Sequence, residues 1–193
     1  DIRGIINGCD YADWDPANDP LIPVNYSAND LSGKELCKHA LQKRAGLPIC
    51  SRPVFGMVCR LTEQKGLHLV LASLGEITSR GGQVVVLGSG DAEMEAAFVA
   101  AAATDPANVA VRIGYDEDFA HQIMAGADVI MVPSRYEPCG LTQLYGLKYG
   151  ALPLVRRVGG LADTVVDVNA ENLAADKATG FVFDDATRQA LGA

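Results

Sequence analysis

Residues 54–87 read VFGMVCRLTEQKGLHLVLASLGEITSRGGQVVVL, and the fold class is decided within them. Val54–Cys59 is an apolar run of strand length without polar alternation. Such a run belongs to a strand covered on both faces, as in a parallel sheet. Gly66–Ser79 reads as a helix, and Val84–Leu87 is a second apolar strand. Strand, helix and buried strand together form a right-handed crossover unit.

The alternation continues downstream. Helices are expected over Asp91–Ala103, Glu117–Gly126 and Leu141–Tyr149, and strands over Val109–Ile113, Val129–Val132 and Leu152–Val155. The pattern predicts an α/β fold, a Rossmann-like doubly wound parallel sheet. After Gly159 it weakens, with one more short strand expected at Gly180–Phe183. Upstream, residues 1–53 are punctuated by turn signals such as Asn7-Gly8, Asp15-Pro16 and Asn18-Asp19-Pro20. One helix is expected there, from about Gly33 to Ala45, with Ser32 as N-cap and Gly46 as its stop. Little in this segment can form a core of its own. The chain therefore divides into a turn-rich leading segment, 1–53, and a Rossmann-like domain, 54–193.

The 193 residues suffice for one domain with a substantial core. The net charge of -8 argues against nucleic acid and against an anionic membrane, both of which need a basic patch. An acidic chain that binds an anion must gather its few cations locally. No apolar run approaches the ~18 residues of a membrane span, and no signal peptide is visible. Five cysteines, an odd count without a C-x-x-C pair, argue against a disulfide framework or a zinc site. Reduced thiols in a cytosolic protein are the plain reading. The sequence opens on Asp1 and reads like the middle of a longer chain, so a fragment is expected.

In a sheet of this kind, ligands bind beyond the carboxyl ends of the strands. The loop after Val54–Cys59 carries Arg60 and Lys65, with Lys65 near a helix start. The helix dipole disfavours a cation there. Two cations make sense if an anion such as phosphate lies between them; otherwise they are solvated surface charges. Gly88-Ser89-Gly90-Asp91 either lets backbone N–H groups approach a ligand or makes a tight turn with Asp91 as N-cap. Tyr115, after Ile113-Gly114, either stacks on a purine or packs at the sheet rim. In Ser134–Thr142, Pro138 is read as stopping the preceding strand and Gly140 as opening a helix. The N–H groups of Gly140, Leu141 and Thr142 then face the same crevice. Glu137 beside them can hydrogen-bond sugar hydroxyls and stabilise positive charge at an anomeric carbon, or it is simply a helix-start acid. Cys139 reads as a small packing residue rather than a nucleophile, since no histidine is near it. His39, His68 and His121 fall on expected helices, as surface or packing residues. Arg156-Arg157 precede Gly159-Gly160, which either bring backbone near a ligand or leave an exposed basic spot; Asp163 is a candidate cap for a short helix. Two cations, a helix start, a carboxylate and an aromatic on one sheet edge suit a nucleoside diphosphate linked to a sugar.

These residues carry a resemblance. Ile6-Asn7-Gly8-Cys9-Asp10, Trp14-Asp15-Pro16, Arg60-Leu61-Thr62, Gln64-Lys65-Gly66, the run Glu137–Gly150 and Gly159–Thr164 are together similar to bacterial glycogen synthases and the related plastid starch synthases. The Glu137–Gly150 run is highly specific. The resemblance spans the chain essentially end to end. It implies one domain of a two-domain, GT-B type retaining glycosyltransferase, the C-terminal half that holds ADP-glucose. It implies transfer of glucose to the non-reducing end of an α-1,4-glucan, with no cofactor and no metal. Carried over by position, Arg60 and Lys65 grip the diphosphate and Tyr115 stacks on adenine. Glu137 contacts the donor glucose, and Cys139, Gly140, Leu141 and Thr142 offer backbone and hydroxyl contacts to glucose and the distal phosphate. Some related retaining transferases carry a second glutamate eight residues on; here that position is Tyr145. The resemblance also implies that an N-terminal acceptor domain is absent and that the final helices are missing or cut short after Asp184. For this chain alone, a nucleotide-binding module without turnover stays open. So does a UDP-sugar donor, because the adenine preference comes from the resemblance alone.

Overall fold

A computed structural model describes residues 5–192. The first four residues of the leading segment and residue 193 lie outside the described residues. Strands β1 (Val54–Val58), β2 (Gln83–Gly88), β3 (Val109–Ile113), β4 (Val129–Val132), β5 (Leu152–Arg156) and β6 (Phe181–Phe183) form one sheet in the order β3-β2-β1-β4-β5-β6. Each neighbouring pair is parallel. The order reverses between β1 and β4, and that switch point is where such sheets open a crevice at their carboxyl edge.

The crossover helices are α2 (Leu67–Ser79), α3 (Ala92–Thr104), α4 (Glu117–Gly126) and α5 (Thr142–Lys148), with α1 (Ser32–Arg44) upstream. Beyond β5 lie the short helices α6 (Gly159–Thr164), α7 (Ala170–Ala174) and α8 (Arg188–Gly192). All six expected strands and the longer helices are present, with ends shifted by a few residues. Every residue of β2 and β4 is buried, which is why these strands read as continuous apolar runs.

Three local expectations are corrected. Ser32 is the first residue of α1 and not its cap. Leu31 takes the N-cap position, and the Asp30 carboxylate accepts from the Ser32 N–H at 3.0 Å. Pro138 does not stop the strand, because β4 ends at Val132, just before Pro133. Asp163 lies inside α6, whose N-cap position is Val158.

The leading segment has no separate core. Ile22, Tyr26, Cys37, Leu41 and Leu47 are buried in one apolar cluster with Ile123, Ile130 and Val155 of the sheet domain. Trp14 is sandwiched between His121 of α4, with ring centroids 3.7 Å apart, and Tyr145 of α5 at 4.3 Å. Aromatic stacking of this kind adds to the stabilisation from the area buried. The fully buried Asp19 carboxylate accepts from the Tyr149 hydroxyl at 2.6 Å and from the Leu21 N–H at 2.8 Å, and meets His121 Nδ1 at 2.8 Å. The Lys34 ammonium donates to the carbonyls of Ala125, Ala127 and Tyr149 at 2.9–3.1 Å. Tyr145, stacked on Trp14, is therefore a packing residue. His121 is likewise a packing residue, and His68 is exposed on α2. Among the described residues no helix is long and apolar enough to cross a membrane.

Candidate functional site

The loops after β1 and β4 are pressed together at the switch point. After Arg60 the chain makes a single 3-10 turn, Glu63–Lys65, and Gly66 follows with φ +69°. A Cβ on Gly66 would lie 1.9 Å from the Pro133 carbonyl oxygen, so only glycine permits this approach. The Gln64 carbonyl accepts from the Arg135 N–H at 2.8 Å, and Gln64 Nε2 donates to the Tyr136 carbonyl at 3.3 Å. Glu63 and Arg135 pair at the surface.

This seam brings Lys65 onto Glu137. Their Nζ and Oε2 atoms are 2.5 Å apart, and the side chains are 18% and 10% exposed. The buried Ser134 hydroxyl donates to the same Glu137 oxygen at 3.2 Å. The expectation of two cations flanking an anion is thus modified. Lys65, the cation that the helix start disfavours, is answered by Glu137, while Arg60 stands exposed with its guanidinium 3.5 Å from Gln64 Oε1. Ser134 is the partner that sequence reasoning missed. Its place three residues before Glu137 was the available signal.

Beside the seam, a cavity of about 210 Å³ opens beyond the ends of β1 and β2, lined by Val58, Arg60, Leu87, Ser89, Tyr115 and Asp116 among others. Tyr115 is 85% exposed, so rim packing does not account for it. Its hydroxyl donates to the Glu117 carboxylate at 3.0 Å, and that bond raises its pKa above the usual phenol range. Cys59 borders this cavity and also a small space lined by Lys65, Ser134 and Thr142. Burial pushes the Cys59 thiol up to about 12, and the Glu137 carboxylate adds to that effect. The Gly88–Asp91 loop is tied to Leu61 rather than left open. The Leu61 N–H donates to the Ser89 carbonyl, the Asp91 N–H donates to the Leu61 carbonyl, and Asp91 makes no side-chain cap.

The Glu137–Thr142 loop is held from two sides. Gly140 adopts φ +76°, and the fully buried Gln143 amide donates to the carbonyls of Cys139 and Gly140 and to Thr164 Oγ1. Gln143 is a second residue that sequence reasoning missed. The expectation for Gly159 and Gly160 is backbone brought near a ligand; what they approach closely is the backbone of this loop. Cβ atoms there would lie 2.1 and 2.3 Å from the Glu137 and Cys139 carbonyl oxygens. Leu141 is the N-cap residue of α5 and Thr142 its first residue, so their N–H groups have no intrahelical acceptor. Arg156 donates to the carbonyls of Arg135 and Asp184, and Arg157 pairs with Asp184 at 2.7 Å. Both arginines brace loops instead of lining the cavity.

Comparison with known proteins accounts for this arrangement. The family model described as glycosyl transferases group 1 matches residues 52–191. The chain is 60% identical, over 99% of its length, to a glycogen synthase of Francisella philomiragia, and 59% identical to a glycogen synthase of Francisella tularensis subsp. novicida. It spans 40% of the length of these curated relatives. A solved structure, the catalytic domain of starch synthase IV from Arabidopsis thaliana bound to ADP and acarbose, superposes with a TM-score of 0.92 at 38% identity. That match covers 97% of this chain and 39% of the other. The C-terminal domain of a glycosyl transferase group 1 protein from Francisella tularensis shares the fold, with a TM-score of 0.64 at 17% identity. With a six-stranded Rossmann sheet, a crevice at its switch point and this family match over most of its length, the chain belongs to the group 1 glycosyl transferases.

Proposed function

We propose that this chain is the donor-holding part of a retaining glucosyltransferase of the glycogen and starch synthase kind, acting on ADP-glucose and an α-1,4-glucan in the bacterial cytoplasm. The observation that carries this reading is the Lys65–Glu137 contact beside a cavity overlooked by Tyr115 and Arg60. A nucleoside diphosphate leaving group gains negative charge as its bond to the sugar breaks. Cations beside the leaving diphosphate stabilise that charge. Arg60 and Lys65 take this role. Tyr115 stacks on the base. Glu137 accepts from sugar hydroxyls, and Cys139, Gly140, Leu141 and Thr142 contact the sugar and distal phosphate. Tyr145 supplies no second carboxylate, which argues against a two-carboxylate hydrolytic mechanism.

The relatives are named glycogen synthase and the superposed starch synthase holds ADP, which favours adenine over uracil. Side-by-side titration of the 193-residue chain with ADP and UDP tests this, and equal affinities would remove the adenine assignment. Lys65→Ala is expected to weaken ADP binding about a hundredfold, equivalent to ~2.7 kcal/mol. Unchanged affinity would remove the phosphate clamp. Tyr115→Ala is expected to weaken ADP about tenfold and pyrophosphate hardly at all, since base–aromatic stacking is worth about 1–3 kcal/mol. An equal loss for both ligands would place Tyr115 elsewhere.

A further inference from the structure

We infer that the Lys65–Glu137 ion pair makes phosphate recognition conditional on sugar recognition, disfavouring a bare nucleoside diphosphate against one that carries a sugar. The inference rests on the donor-site reading above. Lys65 already has an anion 2.5 Å away inside the protein, in a setting with little access to water. A diphosphate that recruits the ammonium must draw it off Glu137. Among the described residues, the carboxylate then keeps the Ser134 hydroxyl as its side-chain donor. A poorly hydrated carboxylate stripped of its charged donor is costly. A sugar on the diphosphate repairs that loss, because its hydroxyls donate to the carboxylate that Lys65 vacates. A bare diphosphate brings no such donors.

Two consequences follow. Coupling of this kind is reciprocal, so sugar and phosphate each strengthen the other's binding. Once the sugar has been transferred, Glu137 competes again for Lys65 and the hold on the nucleoside diphosphate weakens. One ion pair therefore discriminates against product as well as holding donor.

The test is titration of the full 193-residue chain with ADP and with ADP-glucose, by amide chemical shifts so that millimolar affinities are readable. Four proteins are compared: wild type, Glu137→Gln, Lys65→Ala and the double variant. Glutamine keeps the shape of Glu137 and can still accept from Ser134, while the charge is removed. Glu137→Gln is expected to tighten ADP about tenfold, or ~1.4 kcal/mol, and ADP-glucose by less than about threefold. The gain is expected to vanish when Lys65 is alanine. Unchanged or weaker ADP binding in Glu137→Gln would overturn the inference while leaving the donor-site reading intact. So would equal gains for the two ligands, or a gain that persists in full without Lys65. ADP binding that is absent, or indifferent to Lys65→Ala, would overturn both.

Discussion

Replacing Lys34 by methionine is expected to lower the free energy of unfolding by about 1–3 kcal/mol, read as a fall in the urea midpoint at unchanged slope. Lys34 lies on α1, yet its three donors are spent on the ends of two other helices. Ala125 is in the last turn of α4, Ala127 is the C-cap residue of α4, and Tyr149 is the C-cap residue of α5. Carbonyls at a helix C-terminus have no intrahelical donor and sit at the negative end of the dipole. Methionine matches the aliphatic stem and removes the ammonium. Tyr26, whose hydroxyl reaches the Ala125 and Tyr149 carbonyls at 3.3 and 2.9 Å, is the remaining donor there.

The same residue sets an alkaline signature. Burial pushes the Lys34 ammonium down to about 8, against roughly 10.4 for a free lysine. Below pH 8 the folded and unfolded chains both carry the proton, and the burial cost is constant. Between 8 and about 10.4 the unfolded chain binds a proton that the folded chain has released, so the contribution of Lys34 to stability rises with pH. The stability difference between wild type and Lys34→Met is therefore expected to widen across that window. A constant difference would show that the ammonium keeps its ordinary pKa in the fold.

Gly66→Ala is expected to cost about 3–4 kcal/mol and to weaken ADP binding as well. A left-handed backbone costs a non-glycine residue roughly 1–2 kcal/mol. The larger part comes from the Cβ, which would stand 1.9 Å from the Pro133 carbonyl oxygen and force the β1 and β4 loops apart. Gly46 is the natural control. Its φ of +73° is nearly the same, but a Cβ there meets nothing within 4 Å. Gly46→Ala should cost only the conformational part, about 1 kcal/mol. Equal losses at the two positions would mean that the seam yields freely, and would detach the Lys65–Glu137 geometry from Gly66.

The strands were legible in the sequence because both faces of each central strand are covered, which leaves uninterrupted apolar runs such as Val84–Leu87. The residues of the candidate site could be proposed from sequence because they fall on loops at one edge of that sheet. Their pairings were not. Lys65 and Glu137 are 72 residues apart in the chain, and nothing local to either reports the contact between glycine and carbonyl that joins their loops. The leading segment hid more. Trp14, Asp19 and Tyr26 stand among turn signals and Lys34 in the expected helix, and their roles exist only through partners at α4 and α5. Ser32 misled for a simpler reason: the Asp30 carboxylate takes its N–H before the helix begins.

The contacts of the leading segment span 123 residues from Tyr26 to Tyr149 and 130 from Asp19 to Tyr149. Closing loops of that length carries an entropic cost that must be met before any contact rewards it. The parallel core can form first from nearer neighbours, and only then does the beginning of the chain find the groove between α4 and α5. Within these residues, the segment that comes first in sequence is thus the last to settle. What it settles against includes the helix that starts at Thr142, so the Glu137–Thr142 loop gains its final support in the closing step of folding.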